Sequence, residues 1–421
     1  LVAEGFTLLG SSIESIDLAE DRGRFSRLCR ELDFRIPASG MASTFEEASE
    51  IAERIGYPII CRPSYVLGGR RMEVVENQDE LRSYFMRHSD AIKPGAPALM
   101  DQFLAGALEV DVDLVRGVDW TVIGGIVEHL EAAGVHSGDS MGVIPPQRLK
   151  EETCAKIEEL SVKLAERLDT IGHLNLQLAV KNDEIFMLEA NPRSSRSVPF
   201  ISKATSIPLV DLGVLAVLGR TAQEVQPERF NWRKTDTVSV KGVVFPFKKF
   251  PESDSILGPE MKSTGESMGR GRDYAEALLK ASIASNLEIP RSGEVFLSLR
   301  DKDKPELLPA VRTLVSMGYT LTATFGTAKF LQEAGIDCVP VKKVHEGRPN
   351  CVDFIRAGRI ALVINTTSGR RSIEASFTIR RSCIDFSIPC ITESQAAEAL
   401  ISAISRRNPM EFTVSPLDKM I

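Results

Sequence analysis

The sequence predicts a multidomain chain of α/β and α+β type, a mixed region followed by a doubly wound parallel sheet. Three observations predict it. Between Leu108 and Leu114, apolar residues alternate with Glu109, Asp111 and Asp113, the period-two pattern of a half-buried strand with one carboxylate face. Leu174 to Lys181 and Glu184 to Glu189 read as two strands joined at Asn182-Asp183. From Glu294 onward, strand and helix patterns alternate strictly, which is the mark of a parallel sheet with helices on both faces.

The elements follow in order. Leu1 to Gly10 reads as the end of a helix and a strand at Phe6-Thr-Leu-Leu, and Leu1 in place of Met points to a piece of a longer protein. Asp21 to Leu32 sets Phe25, Leu28, Cys29 and Leu32 on one helical face. A second helix follows Ser43-Thr44, a good N-cap, and stops at Gly56; Tyr57 to Cys61 is a short buried strand. Glu151 to Leu168 is an amphipathic helix that buries Ile157, Leu160, Leu164 and Leu168. From 221 to about 286 the pattern is broken by Pro227, Pro246, Pro251 and Pro259, and reads as a connecting segment packed on the first domain. Residues 287 to 421 then carry five strand–helix units.

Composition narrows the function classes. The 421 residues suggest two to three domains at about 150 residues each. With 51 Lys and Arg against 58 Asp and Glu, the net charge is −7, which argues against nucleic acid as a partner. No stretch approaches the ~18 apolar residues of a membrane span. Seven cysteines without a Cys-x-x-Cys pair read as free thiols of a reducing cytoplasm.

Three motifs carry candidate chemistry. Arg62-Pro-Ser-Tyr-Val-Leu-Gly-Gly-Arg70 follows a strand; glycines let backbone amides approach phosphate, and guanidinium groups bind it. A hairpin turn with exposed arginines explains it equally well. Gln177 and Glu189 fall opposite each other if the turn takes three residues, Asn182 to Glu184. With Asn191 they form a cluster of hard oxygen ligands suited to Mg²⁺, beside Arg193 and Arg196. His136 sits in a Gly134-Val-His-Ser-Gly-Asp-Ser140 loop, where a histidine is more often functional than in a core. Glu109 alone is an exposed strand carboxylate that could take a ribose hydroxyl.

These motifs, with Leu188-Glu-Ala-Asn-Pro-Arg-Ser-Ser-Arg196, Leu257-Gly-Pro-Glu-Met-Lys-Ser-Thr-Gly-Glu266 and Ile364-Asn-Thr-Thr-Ser-Gly-Arg-Arg371, closely resemble the large chain of carbamoyl-phosphate synthetase. The resemblance is to its carboxy-terminal half. It implies a remnant of a preceding domain (1–20), an ATP-grasp domain (21–220), a connecting segment (221–286) and a Rossmann-like effector domain similar to methylglyoxal synthase (287–421). The activity implied is phosphorylation of carbamate by ATP with Mg²⁺ or Mn²⁺, feeding arginine and pyrimidine biosynthesis. The partners implied are the amino-terminal half of the large chain and a glutaminase subunit, and the resemblance allows a homo-oligomer.

By that resemblance Arg22, Arg62 and the Gly68-Gly69 loop contact polyphosphate, and Glu109 holds the ribose. Leu104, Gly134, Val135 and Gln102 line the adenine pocket, and His136 and Ser137 reach the phosphates. Gln177, Glu189 and Asn191 hold the metal, while Arg193 and Arg196 hold carbamate and the transferring phosphoryl group. Lys304, Thr324, Thr327, Lys343, Asn365, Thr366 and Thr367 form an effector site for a nucleotide such as UMP or IMP. Asn365 to Ser368 lacks the catalytic Asp of methylglyoxal synthase, so binding without catalysis is expected. Gly242 stands where ornithine-activated enteric members carry Glu, which argues against ornithine activation. A biotin-carboxylase-like ligase would share the ATP site, but Asn191 to Thr205 and the alternating C-terminal domain argue against it. A regulatory fragment without turnover of its own is the reading from another class.

Overall fold

The structure, a computed structural model, describes residues 4–6, 8–64, 71–408, 411, 412 and 414. It divides into two compact units. Of the described residues, those within 4–138, those within 142–239 and Val414 form the first, and Asp139–Met141 with those within 240–412 the second.

The first unit opens with α1 (Ile13–Glu20) and α2 (Arg22–Glu31). Asp21 caps α2 by accepting the Arg24 N–H at 2.8 Å. Among the described residues Phe6, Leu8 and Leu9 no strand forms, and Phe6 and Leu9 are exposed. Four antiparallel strands then form a small sheet: β1 (Ser39–Ala42), β2 (Ile59–Pro63), β3 (Glu73–Val75) and β4 (Ala98–Gln102), in the order β1-β4-β2-β3. Helices α3 (Phe45–Ile55) and α4 (Gln78–Arg87) cover it, burying Ala48, Ala52, Leu81 and Tyr84 against Ile59 and Met100. Thr44 caps α3 and Gly56 ends it at φ 83, a conformation that favours glycine.

A second antiparallel run comprises β5 (Leu108–Arg116), β6 (Thr121–His129), β7 (Gly142–Ile144), β8 (Gly172–Lys181) and β9 (Glu184–Asn191), in the order β7-β6-β5-β8-β9. Helix α5 (Glu151–Arg167) buries Ile157, Leu160 and Leu164 as its periodicity requires, and Leu168 follows it into the core. Strand β5 departs from the expected half-buried form. Its carboxylate face is covered too, with Asp111 4% and Asp113 2% exposed.

The prolines between 221 and 286 do not make that segment irregular throughout. It contains the neighbouring strands β10 (Val238–Val244) and β11 (Gly265–Gly271), and α6 (Tyr274–Ala284) packs on β11. Pro246, Pro251 and Pro259 all fall in the loop between those strands, where a missing N–H is harmless. The segment also divides, with 221–239 in the first unit and 240–286 in the second.

In the rest of the second unit five parallel strands are described: β12 (Glu294–Ser298), β13 (Thr320–Thr324), β14 (Val339–Val341), β15 (Ile360–Asn365) and β16 (Cys390–Ile391). Their order is β14-β13-β12-β15-β16. Helices α7 (Asp303–Ser316), α8 (Phe325–Glu333), α9 (Cys351–Arg356), α10 (Arg370–Asp385) and α11 (Ser394–Arg406) alternate with them. Helix α7 packs with α11, and α9 with α10. The strand order reverses between β12 and β15, the place where such sheets bind ligands.

Candidate functional site

Strand pairing in the first unit builds a polar face row by row. Asp111 of β5 lies opposite Gln177 of β8, and Gln177 opposite Glu189 of β9. One pleat on, Asp113 lies opposite Asn175, and Asn175 opposite Asn191. Opposed residues share a face, so both rows look the same way. The expected three-residue turn is not what sets this register. Lys181 pairs with Glu184, so the turn takes two residues, and Asn182 and Asp183 adopt φ 53 and 64, as a type I′ turn demands. A bulge then shifts the ladder between Gln177 and Leu178 and returns Glu189 to Gln177.

An open cleft of about 160 Å³ lies beside these rows. Of the expected residues, Arg22, Arg62, Gln102, Leu104, Glu109, Gly134 and Glu189 line it. Leu104, Ala107 and Ala179 are buried there with Ala133, Phe186 and Leu188 against them, an apolar wall suited to a planar ring. Gly134 has φ +95, and a Cβ there would stand 2.6 Å from the Phe103 ring. Its N–H donates to Oε1 of Glu109 at 2.9 Å. Gly68 and Gly69 lie outside the described residues.

The remaining expected residues lie next to the cleft rather than on its lining. Val135 is buried. Nδ1 of His136 accepts the Gly138 N–H at 3.0 Å, so that ring nitrogen shapes its own loop. Gln177 donates from Nε2 to the Ser137 hydroxyl at 3.0 Å, which turns its amide nitrogen to the loop. Asn191 donates to Asn175 at 3.4 Å, and its oxygen accepts from Arg193 at 3.1 Å. Asn191 therefore lies in the polar rows, with its oxygen engaged by a cation of the chain. Arg193 and Arg196 are exposed in the loop after β9.

That loop is anchored by a residue the alternation marked only as a strand carboxylate. Asp113 accepts the hydroxyls of Ser195 at 2.5 Å and Ser197 at 2.6 Å. Burial pushes its carboxyl up to about 6, against the pull of those hydroxyls. His129 is a second such residue. Its Nε2 lies 3.1 Å from Asp111, and its Nδ1 lies 3.7 Å from Glu109. Burial opposes its charge, yet the two carboxylates prevail and raise it to about 9, an imidazolium near neutral pH. The sequence held one clue: a histidine on a strand near the row of Glu109 and Asp111.

A divalent cation fits these donors. Gln177 and Glu189 share a face, and among the described residues no group of three or more His, Cys, Asp or Glu could hold a metal alone. A site of one carboxylate and amide oxygens suits Mg²⁺ that takes its other ligands from phosphate.

The second unit collects the expected effector residues at the carboxyl ends of its strands. Several are already committed. Thr327 accepts the Leu299 N–H and Thr366 the Arg300 N–H, each at 3.1 Å. Thr324 donates to Thr327 at 3.3 Å, and Asn365 accepts from the fully buried Arg380 at 2.9 Å. Lys304 donates to Asp301 at 2.6 Å and to the Gly326 carbonyl at 3.1 Å. Lys343 is exposed, and the Thr367 hydroxyl is buried without a partner among the described residues. In β10, a Cβ on Gly242 would stand 2.3 Å from the Ser285 hydroxyl and 2.4 Å from that of Ser267.

Residues 21–224 match the model of the carbamoyl-phosphate synthase L chain, ATP binding domain, and residues 306–392 that of the MGS-like domain. The chain is 44% identical over 425 residues to the carbamoyl phosphate synthase large chain, C-terminal section, of Methanocaldococcus jannaschii, covering 99% of this chain and 69% of that one. To the corresponding section from Aquifex aeolicus it is 43% identical over 418 residues, covering 96% and 78%. It is 44% identical to the Myxococcus xanthus large chain and spans 38% of that protein's length. Among solved structures, biotin carboxylase from Campylobacter jejuni superposes with a TM-score of 0.55 at 17% identity, covering 67% of this chain and 69% of that one. That likeness is one of fold.

Proposed function

Because the chain belongs to the family of carbamoyl phosphate synthase large chains, we propose that its first unit uses ATP to phosphorylate carbamate, giving carbamoyl phosphate and ADP. The observation that carries this reading is the polar row Asp111–Gln177–Glu189 beside a cleft that holds Arg22 and Arg62. In-line phosphoryl transfer between two anions needs positioning and charge neutralisation more than a strong base. Carbamate is already an anion and has no proton to lose. Arg62 and Arg22 receive the polyphosphate, and the apolar wall at Leu104 and Ala179 takes the adenine. Glu109, held by the Gly134 amide, presents its carboxylate to the ribose. Gln177 and Glu189 hold Mg²⁺, or Mn²⁺ in its place, with Asn191 as the third ligand once Arg193 turns to the substrate. Bound metal supplies charge neutralisation between the reactants. Arg193 and Arg196, carried on the loop that Asp113 anchors, hold carbamate and the transferring group.

The second unit acts as an effector domain. The Thr367 hydroxyl, unpartnered among the described residues, and exposed Lys343, at helix and strand ends near Lys304, support a phosphate of a nucleotide such as UMP or IMP. Ammonia and carbamate come from an amino-terminal half and a glutaminase partner. Incubation with carbamoyl phosphate, ADP and Mg²⁺ tests the reading: ATP should form, and no ATP above the protein-free rate would overturn it.

A further inference from the structure

The cleft contains one buried carboxylate to which the reaction above gives no role. Asp101 lies on β4, opposite Ile60 of β2, and is 8% exposed. Side chains alternate along a strand, so Arg62, two residues beyond Ile60, projects to the same side as Asp101. Arg22 reaches that place from the first turn of α2 and donates to Oδ1 of Asp101 through one terminal nitrogen. All three residues, and Glu189, line the cleft.

Two guanidinium groups side by side repel each other. The charge on Arg62 is disfavoured by its burial and then by Arg22, and is supported by Asp101 and Glu189. Burial likewise pushes the Asp101 carboxyl up, and Arg22 and Arg62 hold it down. The Arg22 side chain is 31% exposed, so water competes for it. Without a counter-ion at the wall, solvation and the repulsion from Arg62 both draw it outward. With Asp101 in place, the trio keeps a net charge of +1, and both guanidinium groups stay in the cleft.

We propose that Asp101 is a positioning residue: it holds the Arg22 guanidinium beside Arg62, so that a polyphosphate meets two cations already in place. The role goes beyond the nucleotide reading of the cleft and rests on it. Asp101 need not touch the ligand, and its effect passes through Arg22.

The test is MgADP affinity by calorimetry on the full chain for wild type, Asp101→Asn, Arg22→Gln and the double variant. Losing a charge-assisted contact should weaken binding about tenfold in each single variant. The double variant should bind no worse than Arg22→Gln, because the two residues act as one unit. Asp101→Glu, which keeps the charge, should stay within about threefold of wild type. Wild-type affinity in Asp101→Asn, or losses that multiply in the double variant, would overturn the proposal. If Asp101→Asn does not fold, Asp101→Glu decides: a folded Glu variant that binds tenfold more weakly makes the residue a packing element and also overturns it. Wild type that binds no MgADP overturns the nucleotide reading itself, a separate outcome.

Discussion

Gln177 and Glu189 face each other because the β8–β9 ladder slips by one residue between them and the turn. The Asn182-Asp183 turn takes two residues, so an unbroken ladder would set Gln177 against Leu188. Glu189 would then point to the opposite face of the sheet. One bulged residue thus decides whether this carboxylate joins the row of Asp111 and Gln177. Bulges of this kind re-aim side chains next to functional sites.

His129 makes folding stability depend on pH. Its folded value, raised to about 9 between Asp111 and Glu109, lies above the ordinary 6.5. A raised histidine contributes stability that is fully present below 6.5 and lost as pH rises through about 9, here about 3 kcal/mol. Denaturant unfolding at pH 6.5 and 9.5 should show that loss in wild type. The loss in His129→Gln should be smaller than in wild type by about that amount, the buried thiols contributing equally to both, and an equal loss in the two proteins would contradict the assignment.

Arg196 should need its planar fork. The Arg196→Lys variant keeps the charge but not the bidentate geometry that phosphoryl and carboxylate groups match. Carbamoyl-phosphate-dependent ATP formation should fall about tenfold or more, on the scale of a lost charge-assisted contact. A rate equal to wild type would show that a point charge suffices.

Gly242 leaves no room for a side chain. Besides the Ser267 and Ser285 hydroxyls, the Ala281 carbonyl stands 2.8 Å from its would-be Cβ. Gly242→Ala should cost about 1–3 kcal/mol in denaturant unfolding. Gly242→Glu should not create a response of activity to ornithine; a response would show that the segment opens to admit one.

The effector reading predicts that Lys343→Ala weakens UMP or IMP binding about tenfold, the value of one charge-assisted contact to phosphate. Calorimetry on the full chain measures it. Equal affinity in the variant would leave Lys343 as an ordinary surface lysine.

Local signals carried much of this architecture. The 108–114 alternation, the Asn182-Asp183 turn and the strict strand–helix succession after Glu294 all depend on neighbours within a few residues, and all three formed. What depends on partners far along the chain stayed hidden. Alternation marks a polar face on β5 but cannot distinguish a face in water from one where Asp113 is covered by Ser195 and Ser197. Nothing in the sequence between Met187 and Glu189 announces a bulge. Prolines in one long loop masked the strands Val238–Val244 and Gly265–Gly271 on either side. Phe6, Leu8 and Leu9 carry strand propensity, which is fitness for a pleated surface, yet none of these described residues lies in a strand. The expected Gln177, Glu189 and Asn191 do come together on one face at a hairpin end, while the placement of His129 and Asp101 required the register of strands that no motif contains.

We propose that Glu189 and Gln177 form the metal-holding row of a nucleotide cleft. The most direct measurement is ADP affinity with and without Mg²⁺, in wild type and in Glu189→Gln. Wild type should bind ADP more tightly when Mg²⁺ is present. Glu189→Gln should lose that increment and keep its metal-free affinity, because Arg22, Arg62 and the apolar wall are untouched. A Glu189→Gln protein whose ADP affinity still rises with Mg²⁺ as in wild type would contradict the claim.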